Sequence, residues 1–206
     1  NLDLLRRGAF TDTGDLATAL SDMHQTVVRM SRLVQDLLTL TRLEHGSDLV
    51  VTPIEVEPVL REVARAGQLA HDRTITVEVS GKLRVVSDSD ALHRVFLNLI
   101  DNAAKYSPDD TPIHLRAHTD GQRVAIDVVD QGVGIATEEQ ALIFQRFYRR
   151  DKMHTPRSAG VGLGLSICQA LLGHLGGSIG VRSESGNGCT FIVSLPAAHN
   201  ANQVAG

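Results

Sequence analysis

Val124-Ala125-Ile126-Asp127-Val128-Val129-Asp130-Gln131-Gly132-Val133-Gly134-Ile135 is the stretch on which the fold turns. Val124, Ile126 and Val128 recur at every second position, the period of a strand with one buried face. Asp130 continues that row, so its carboxylate points inward, where an unpaired charge is costly. It needs donors. Two alternate glycines follow at once, and glycines let other groups approach the backbone closely. A turn that only reversed the chain would rarely carry an inward acid before Gly-x-Gly, so a ligand role for Asp130 is the preferred reading.

Working outward, residues 113–118 read as a neighbouring strand, turned into 124–130 by Asp120-Gly121. Residues 74–79 and 83–86 are predicted as short strands, 50–54 as extended, and 178–183 and 190–195 as closing strands. Helical spacing covers 56–71, 88–105 and 163–175, and a further helix is predicted over 138–146. Helices and strands alternate irregularly and one strand pair is joined by a tight turn. This favours an α+β, two-layer sandwich with a mixed sheet and three main helices over a doubly wound parallel one. Residues 15–43 differ in kind. Leu16, Leu20, Met23, Val27, Met30, Val34 and Leu37 step by fours and threes, a heptad seam. It fits a hairpin packed on the domain, or a bundle helix pairing between subunits, the favoured reading. The expected division is a partial helical domain at 1–45, a main domain at 49–196 and a disordered tail at 197–206.

Two further motifs carry chemistry. On the helix over 88–105, Asn98, Asn102 and Lys105 share one stripe. Asparagine is a poor interior helix residue because its amide competes for backbone hydrogen bonds. An Asn carbonyl oxygen is, however, a neutral hard ligand for Mg²⁺, and a lysine beside it can offset phosphate charge. Taken alone, the stripe fits a solvated polar face equally well. The other motif is Gly160-Val161-Gly162-Leu163-Gly164-Leu165-Ser166-Ile167, a glycine-rich loop entering a helix, where free N–H groups can hold an anion. Arg149, Arg150, Lys152 and Arg157 precede it as a basic loop that could fold over a polyphosphate. No apolar strand leads into these glycines and no Gly-Lys-Ser/Thr follows, which excludes dinucleotide-binding and Walker A readings.

Composition narrows the class. Of 206 residues, 42% are apolar, enough for a core, and with no Trp that core must rest on Leu, Val, Ile and Ala. A net charge of −4 argues against a general nucleic-acid binder. Cys168 and Cys189 lie far apart without metal-ligand company, which reads as a reducing compartment and no disulfide framework. No apolar run approaches the roughly 20 residues that span a bilayer. The chain starts at Asn1 on residues that already look helical, as if it were part of something longer.

In order and spacing, these motifs resemble the ATP-binding catalytic domain of bacterial sensor histidine kinases, of the superfamily shared with gyrase, MutL and the heat-shock chaperone ATPases. The run 98–107 resembles the N box, 130–135 the first glycine box, 143–148 the phenylalanine box, 160–167 the second glycine box and 186–191 the last. The resemblance implies a Bergerat-type fold binding ATP and Mg²⁺. Asn102 would ligate Mg²⁺, Asn98 would support metal and phosphates, Lys105 would contact phosphate and Tyr106 would flank the nucleotide. Asp130 would accept from the adenine amino group, with Gly132, Gly134, Ile135, Phe147, Arg149, Gly160, Gly162, Leu163, Gly164, Leu165 and Thr190 completing the nucleotide site. Residues 149–160 would be the ATP lid.

The segment 30–44 resembles the second helix of the family's dimerisation and phosphoacceptor domain, and 1–7 the end of its first. The resemblance implies a homodimer, a response-regulator partner, and a cytoplasmic portion attached to a membrane only through parts outside this sequence. The family's acceptor histidine lies in a His-Glu-x-x-Thr-Pro context, which none of the nine histidines here shares. His24, His93 and His154 are read as surface or core residues, with no carboxylate partner expected for His93. Leu175 stands where relatives often place His.

Overall fold

The computed structural model describes residues 13–44, 49–149 and 161–198. The chain divides into two compact units, Asn1–Thr41 and Arg42–Gly206. Helix α1 (Thr13–Glu44), as far as Thr41, makes up the described part of the first. The heptad residues Leu20, Val27, Met30, Val34 and Leu37 are 43–63% exposed along it.

The second unit holds strand β1 (Thr52–Glu55), helix α2 (Val56–His71) and strands β2 (Ile75–Val79) and β3 (Arg84–Ser87). Helix α3 (Ser89–Tyr106), strands β4 (Ile113–Thr119) and β5 (Arg123–Asp130), helix α4 (Gly164–His174) and strands β6 (Ser178–Ser183) and β7 (Cys189–Pro196) follow. Five strands form a mixed sheet in the order β2-β4-β5-β7-β6, while β1 and β3 pair separately. Only β2 and β4 run parallel; β4–β5, β5–β7 and β6–β7 are antiparallel. This is the expected mixed-sheet α+β architecture with three main helices.

Alternation sets the layers. Val124, Ile126, Val128 and Asp130 of β5 are buried, as are Cys189, Phe191, Val193 and Leu195 of β7 and Ile113, Leu115 and Ala117 of β4. Against this face lie Leu92, Val95, Phe96, Leu99, Ile100 and Ala103 of α3, Val59, Leu60 and Val63 of α2, and Ile167, Leu171 and Leu172 of α4. Each large side chain so buried contributes about 1.5–3 kcal/mol, which is how a core without Trp suffices. Both cysteines are buried.

Helix α3 starts on a double contact. Asp88 Oδ1 accepts the Ala91 N–H at 2.9 Å, an N-cap, and its Oδ2 accepts the Val50 N–H at 2.8 Å. The chain entering the unit is thus fastened to the helix that carries the asparagines.

Three expectations need correction. Residues 138–146 are not one helix but two 3₁₀ turns, Thr137–Glu139 and Leu142–Phe144. The Gln140 side chain donates to the Ile135 and Ser183 carbonyls at 3.3 and 2.8 Å, and Gln145 turns extended, so tertiary bonds override helical continuation. The proposed tail does not begin at 197. Ala197 donates to Gln122 O at 3.0 Å and Ala198 to Arg84 O at 2.8 Å, lengthening the ordered strand end; residues 199–206 lie outside the described residues. And His93 does have an acidic neighbour: Glu62 of α2 stands 3.0 Å from its Nε2, within ion-pair distance but without hydrogen-bond alignment.

The turn after β5 is locked to the turn before β7. Gly186 donates to Val133 O at 2.8 Å and Gly188 to Gly132 O at 3.0 Å. Gly134 is left-handed (φ +67°), and a Cβ on it would overlap the Glu184 carbonyl oxygen. Gly186 is left-handed too (φ +88°) but has open space around it.

Two predictions follow from this frame. Gly186→Ala should lose about 1–2 kcal/mol, the cost of the left-handed conformation alone, and Gly134→Ala clearly more, as measured by urea denaturation; equal losses would show the two turns are not locked. For His93, burial opposes the imidazolium, but the Ser89 carbonyl, Glu62 and Asp90 outweigh it and hold its pKa above the ordinary value. A raised histidine pKa gives stability that is full below the unfolded value and disappears as pH rises through the folded one. Glu62→Gln should therefore lower the melting temperature modestly at pH 5.5 and leave it unchanged at pH 9.

Candidate functional site

The site grows from the buried end of β5. Asp130 is only 5% exposed. Its Oδ1 accepts from the Gly132 N–H at 2.8 Å and the Cys189 N–H at 3.2 Å. Its Oδ2 accepts nothing from the described residues. Burial pushes the Asp130 pKa above the usual carboxylate value, and the two N–H bonds and the positive charge of Arg73 oppose that rise. One oxygen is fixed and the other receives no donor from the described residues, and the acid lies inward as the alternation predicts.

Helix α3 reaches both glycine loops. At its end, the Tyr106 carbonyl accepts the Val133 N–H at 3.2 Å. A Cβ on Gly132 would stand 2.6 Å from Tyr106 O and 2.8 Å from Asp130 Oδ1. Glycine is required there because the turn is squeezed between the helix end and the carboxylate. Two turns earlier, Asn98 Oδ1 lies 3.3 Å from where a Cβ on Gly164 would be, at the start of α4. The half-buried Asn98 and Asn102 amides make no hydrogen bond among the described residues. The Lys105 ammonium sits 4.7 Å from the centre of the Tyr106 ring, a cation–π contact, with Tyr106 41% exposed. Amide oxygens without a partner among the described residues, in a half-buried stripe beside a cation that makes no ion pair among them, fit a divalent cation with phosphates.

The second glycine loop is described from Val161 onward. Leu163 is buried and precedes the first turn of α4, where no side chain caps the helix N–H groups. Leu165 is half-buried. Phe147, 61% exposed, takes the left-handed conformation (φ +65°) and donates its N–H to Gly162 O at 2.9 Å. Gly162 (φ +80°) meets Phe147 and Tyr148 so closely that a Cβ would lie 2.7 Å from Tyr148 O. The two ends of the proposed lid are therefore tied together. Arg149 is exposed. Gly160, Arg150, Lys152, His154 and Arg157 lie outside the described residues.

The remaining site candidates separate. Ile135 is half-buried, its N–H held by Ser183 Oγ at 2.8 Å. Thr190 pairs with Val129, whereas Cys189 pairs with Asp130. Directly paired residues point to the same side of a sheet, so Thr190 faces away from Asp130, and the neighbour at the acid is the Cys189 backbone. Sequence reading also missed Arg73, 6% exposed, which donates to the Ala104 O and Ser107 Oγ at 3.3 and 3.1 Å beneath the end of α3. No local pattern marks it: a single arginine between a helix and a strand looks like surface.

Known proteins are similar to this chain. Residues 87–199 match the family of histidine kinase-, DNA gyrase B-, and HSP90-like ATPases. SenX3 of Mycobacterium tuberculosis, a sensor-like histidine kinase, is 33% identical over 173 residues, 82% of this chain and 42% of that protein. The sensor protein SrrB of Staphylococcus aureus is 34% identical over 195 residues, 92% of this chain and 33% of its own. The chain spans less than half the length of these relatives. Among solved structures, full-length ShkA in complex with AMPPNP has a TM-score of 0.75 at 29% identity, covering 94% of this chain and 41% of that one. The mycobacterial sensor histidine kinase MprB has a TM-score of 0.64 at 29% identity, covering 73% of this chain and all of that one. No described helix is long and apolar enough to cross a membrane. With an inward acid, an asparagine helix and two glycine loops in one frame, the chain belongs to the histidine kinase-, DNA gyrase B- and HSP90-like ATPase family, on the side of the sensor histidine kinases.

Proposed function

We propose that this chain is the ATP-binding catalytic portion of a sensor histidine kinase, which moves the γ-phosphoryl group of Mg·ATP to a histidine for relay to a response-regulator aspartate. The observation that carries it is Asp130: a buried carboxylate with one oxygen fixed by backbone and the other left for a donor. The AMPPNP held by ShkA supports an adenine nucleotide as the donor's source.

The residues divide the work. Asp130 accepts from the adenine 6-amino group, and Gly132 and Gly134 shape the turn beside it. Tyr106 flanks the base. Asn102, supported by Asn98, would hold Mg²⁺, which when bound neutralises phosphate charge and draws phosphate oxygens into one geometry. Lys105 swings from the Tyr106 ring to a phosphate. Gly162 and Gly164 leave room at the N-terminus of α4 for phosphate oxygens. Phosphoryl transfer of this kind needs positioning and charge compensation more than covalent chemistry from the protein.

The nucleophile is an imidazole nitrogen on a dimerisation helix. The exposed apolar residues of α1, from Leu20 to Leu37, support a second helix-bearing copy as the partner of that seam. Membrane attachment, where there is any, belongs to other parts of the protein, and this portion acts in the cytoplasm. The alternatives are a serine kinase or ATPase of the same superfamily, and a scaffold without activity. The heptad helix disfavours the first, and the Asn98 and Asn102 amides, without a partner among the described residues, disfavour the second.

Two outcomes test this reading. Incubated with γ-³²P-ATP, the chain should not label itself, since no histidine has the acceptor context, but should label a histidine-phosphoacceptor domain supplied in trans; no labelling of that domain sinks the kinase reading. Asp130→Asn should weaken ATP binding by about tenfold or more, the worth of a hydrogen bond to a charged group, measured by calorimetry. The same change should hold or raise the melting temperature at neutral pH. A raised carboxylate pKa means folding is less favoured as pH rises through it, so the neutral amide gains most above that pH and nothing in acid. Unchanged affinity would remove Asp130 from the site.

A further inference from the structure

Among the described residues, Arg73 is the most deeply buried charged side chain that the proposed chemistry does not use. It lies between α2 and β2, just after left-handed Asp72 (φ 49°), and is 6% exposed. Among the described residues it makes no ion pair. Its acceptors are backbone and hydroxyl oxygens: Asp109 O at 3.2 Å, Ala103 O at 3.5 Å, Ala104 O at 3.3 Å, Ser107 Oγ at 3.1 Å, Ser107 O at 3.2 Å and Thr111 Oγ1 at 3.4 Å.

A buried guanidinium without a carboxylate in contact is an expensive way to end a helix. Two features offset the cost. Ala103 and Ala104 present carbonyls of the last turn of α3, where the helix dipole favours a cation. And the planar fork carries five N–H donors in a fixed geometry, against three on the compact ammonium of a lysine. What the fork fixes is the segment from Ala103 to Thr111, and Lys105 and Tyr106 lie inside it. Ser107 is tied in twice more, its Oγ and its N–H both bonding Ala103 O.

That segment is the seat of the glycine turn. Tyr106 O receives Val133 N–H, and Gly132 is wedged between Tyr106 O and Asp130 Oδ1. A shift of the helix end would therefore move the turn, and the turn supplies one of the two N–H groups holding Asp130. The Arg73 charge also favours the ionised Asp130 carboxylate.

We propose that Arg73 is a positioning residue of the nucleotide site, clamping the end of α3 against the Gly132 turn so that Asp130 keeps its second oxygen aimed at a purine 6-amino group. This rests on the reading of Asp130 as the adenine acceptor.

The test is discrimination between two nucleotides that differ only at that amino group, ATP and purine riboside triphosphate, titrated calorimetrically in the presence of Mg²⁺. The parent chain should prefer ATP by about tenfold or more. Arg73→Gln should bind ATP about tenfold more weakly while its affinity for the purine analogue changes less than about threefold, so that the preference collapses. Arg73→Lys keeps the charge without the fork and should fall between. Val63→Ala, which opens the α2 core away from the site, should lower the melting temperature and leave the preference intact. If folded Arg73→Gln keeps the parental preference, the inference is overturned; if that variant does not fold, the same result in Arg73→Lys overturns it. A parent chain that fails to prefer ATP overturns the adenine reading itself, and this inference with it.

Discussion

The Asp130 carboxylate is the interaction around which the second unit is arranged. A charge at the buried end of a strand is tolerated only where donors meet it, and here they come from two directions. Gly132 turns its N–H back onto Oδ1, and β7 brings the Cys189 N–H to the same oxygen. Both donors depend on side chains being absent: Gly132 must fit under Tyr106 O, and Gly188, left-handed at φ +75°, packs against the Asp130 carbonyl. The glycines that look like ligand clearance in the sequence are first of all clearance for protein against protein. Their demands make the acid and the two turns one unit, and burial leaves the acid less stable in its charged form than an exposed one. Under the proposed function, that cost is kept for recognition of the base.

Helix α3 sets the scale of the site. Asn98 lies at the start of α4 and Tyr106 at the glycine turn after β5. Eight residues at a rise of 1.5 Å separate the two by roughly 12 Å along the axis. The helix is fixed at both ends, by the Asp88 cap at one and the Arg73 fork at the other. Its inner face is fully buried from Leu92 to Ala103. A rigid element tied at both ends holds Asn98 and the Tyr106 turn at constant separation, which under the proposed function would keep the phosphate end and the base end in register.

Where a residue's role depends on its own strand or helix period, the sequence shows it. Alternation alone puts Asp130 inward, and the 3.6 period alone puts Asn98, Asn102 and Lys105 on one stripe. Where the role depends on what packs from elsewhere, the sequence is silent. Thr190 and Cys189 are adjacent, and only the β5–β7 register decides which one meets Asp130. The run 138–146 carries helix-forming residues, yet Gln140 spends its amide on Ile135 and Ser183, and the chain breaks into two turns. His93 and Glu62 are 31 positions apart and meet only because α2 lies along α3. Arg73 is the extreme case, since a solvated arginine and a buried one look the same in a loop.

The tie between Phe147 and Gly162 adds a mechanical consequence. A bulky residue at positive φ is held only where its surroundings leave no alternative, at a cost of about 1–3 kcal/mol. Here the surroundings are Gly162, whose missing Cβ allows the contact and whose carbonyl accepts the Phe147 N–H. Phe147 and Gly162 thus form a clasp next to the first turn of α4. It joins the run that follows the turn at 142–144 to the start of α4, where Asn98 stands beside Gly164. The cost of the strained Phe147 therefore goes into holding these described elements together, and the glycine it packs against is what makes that conformation possible.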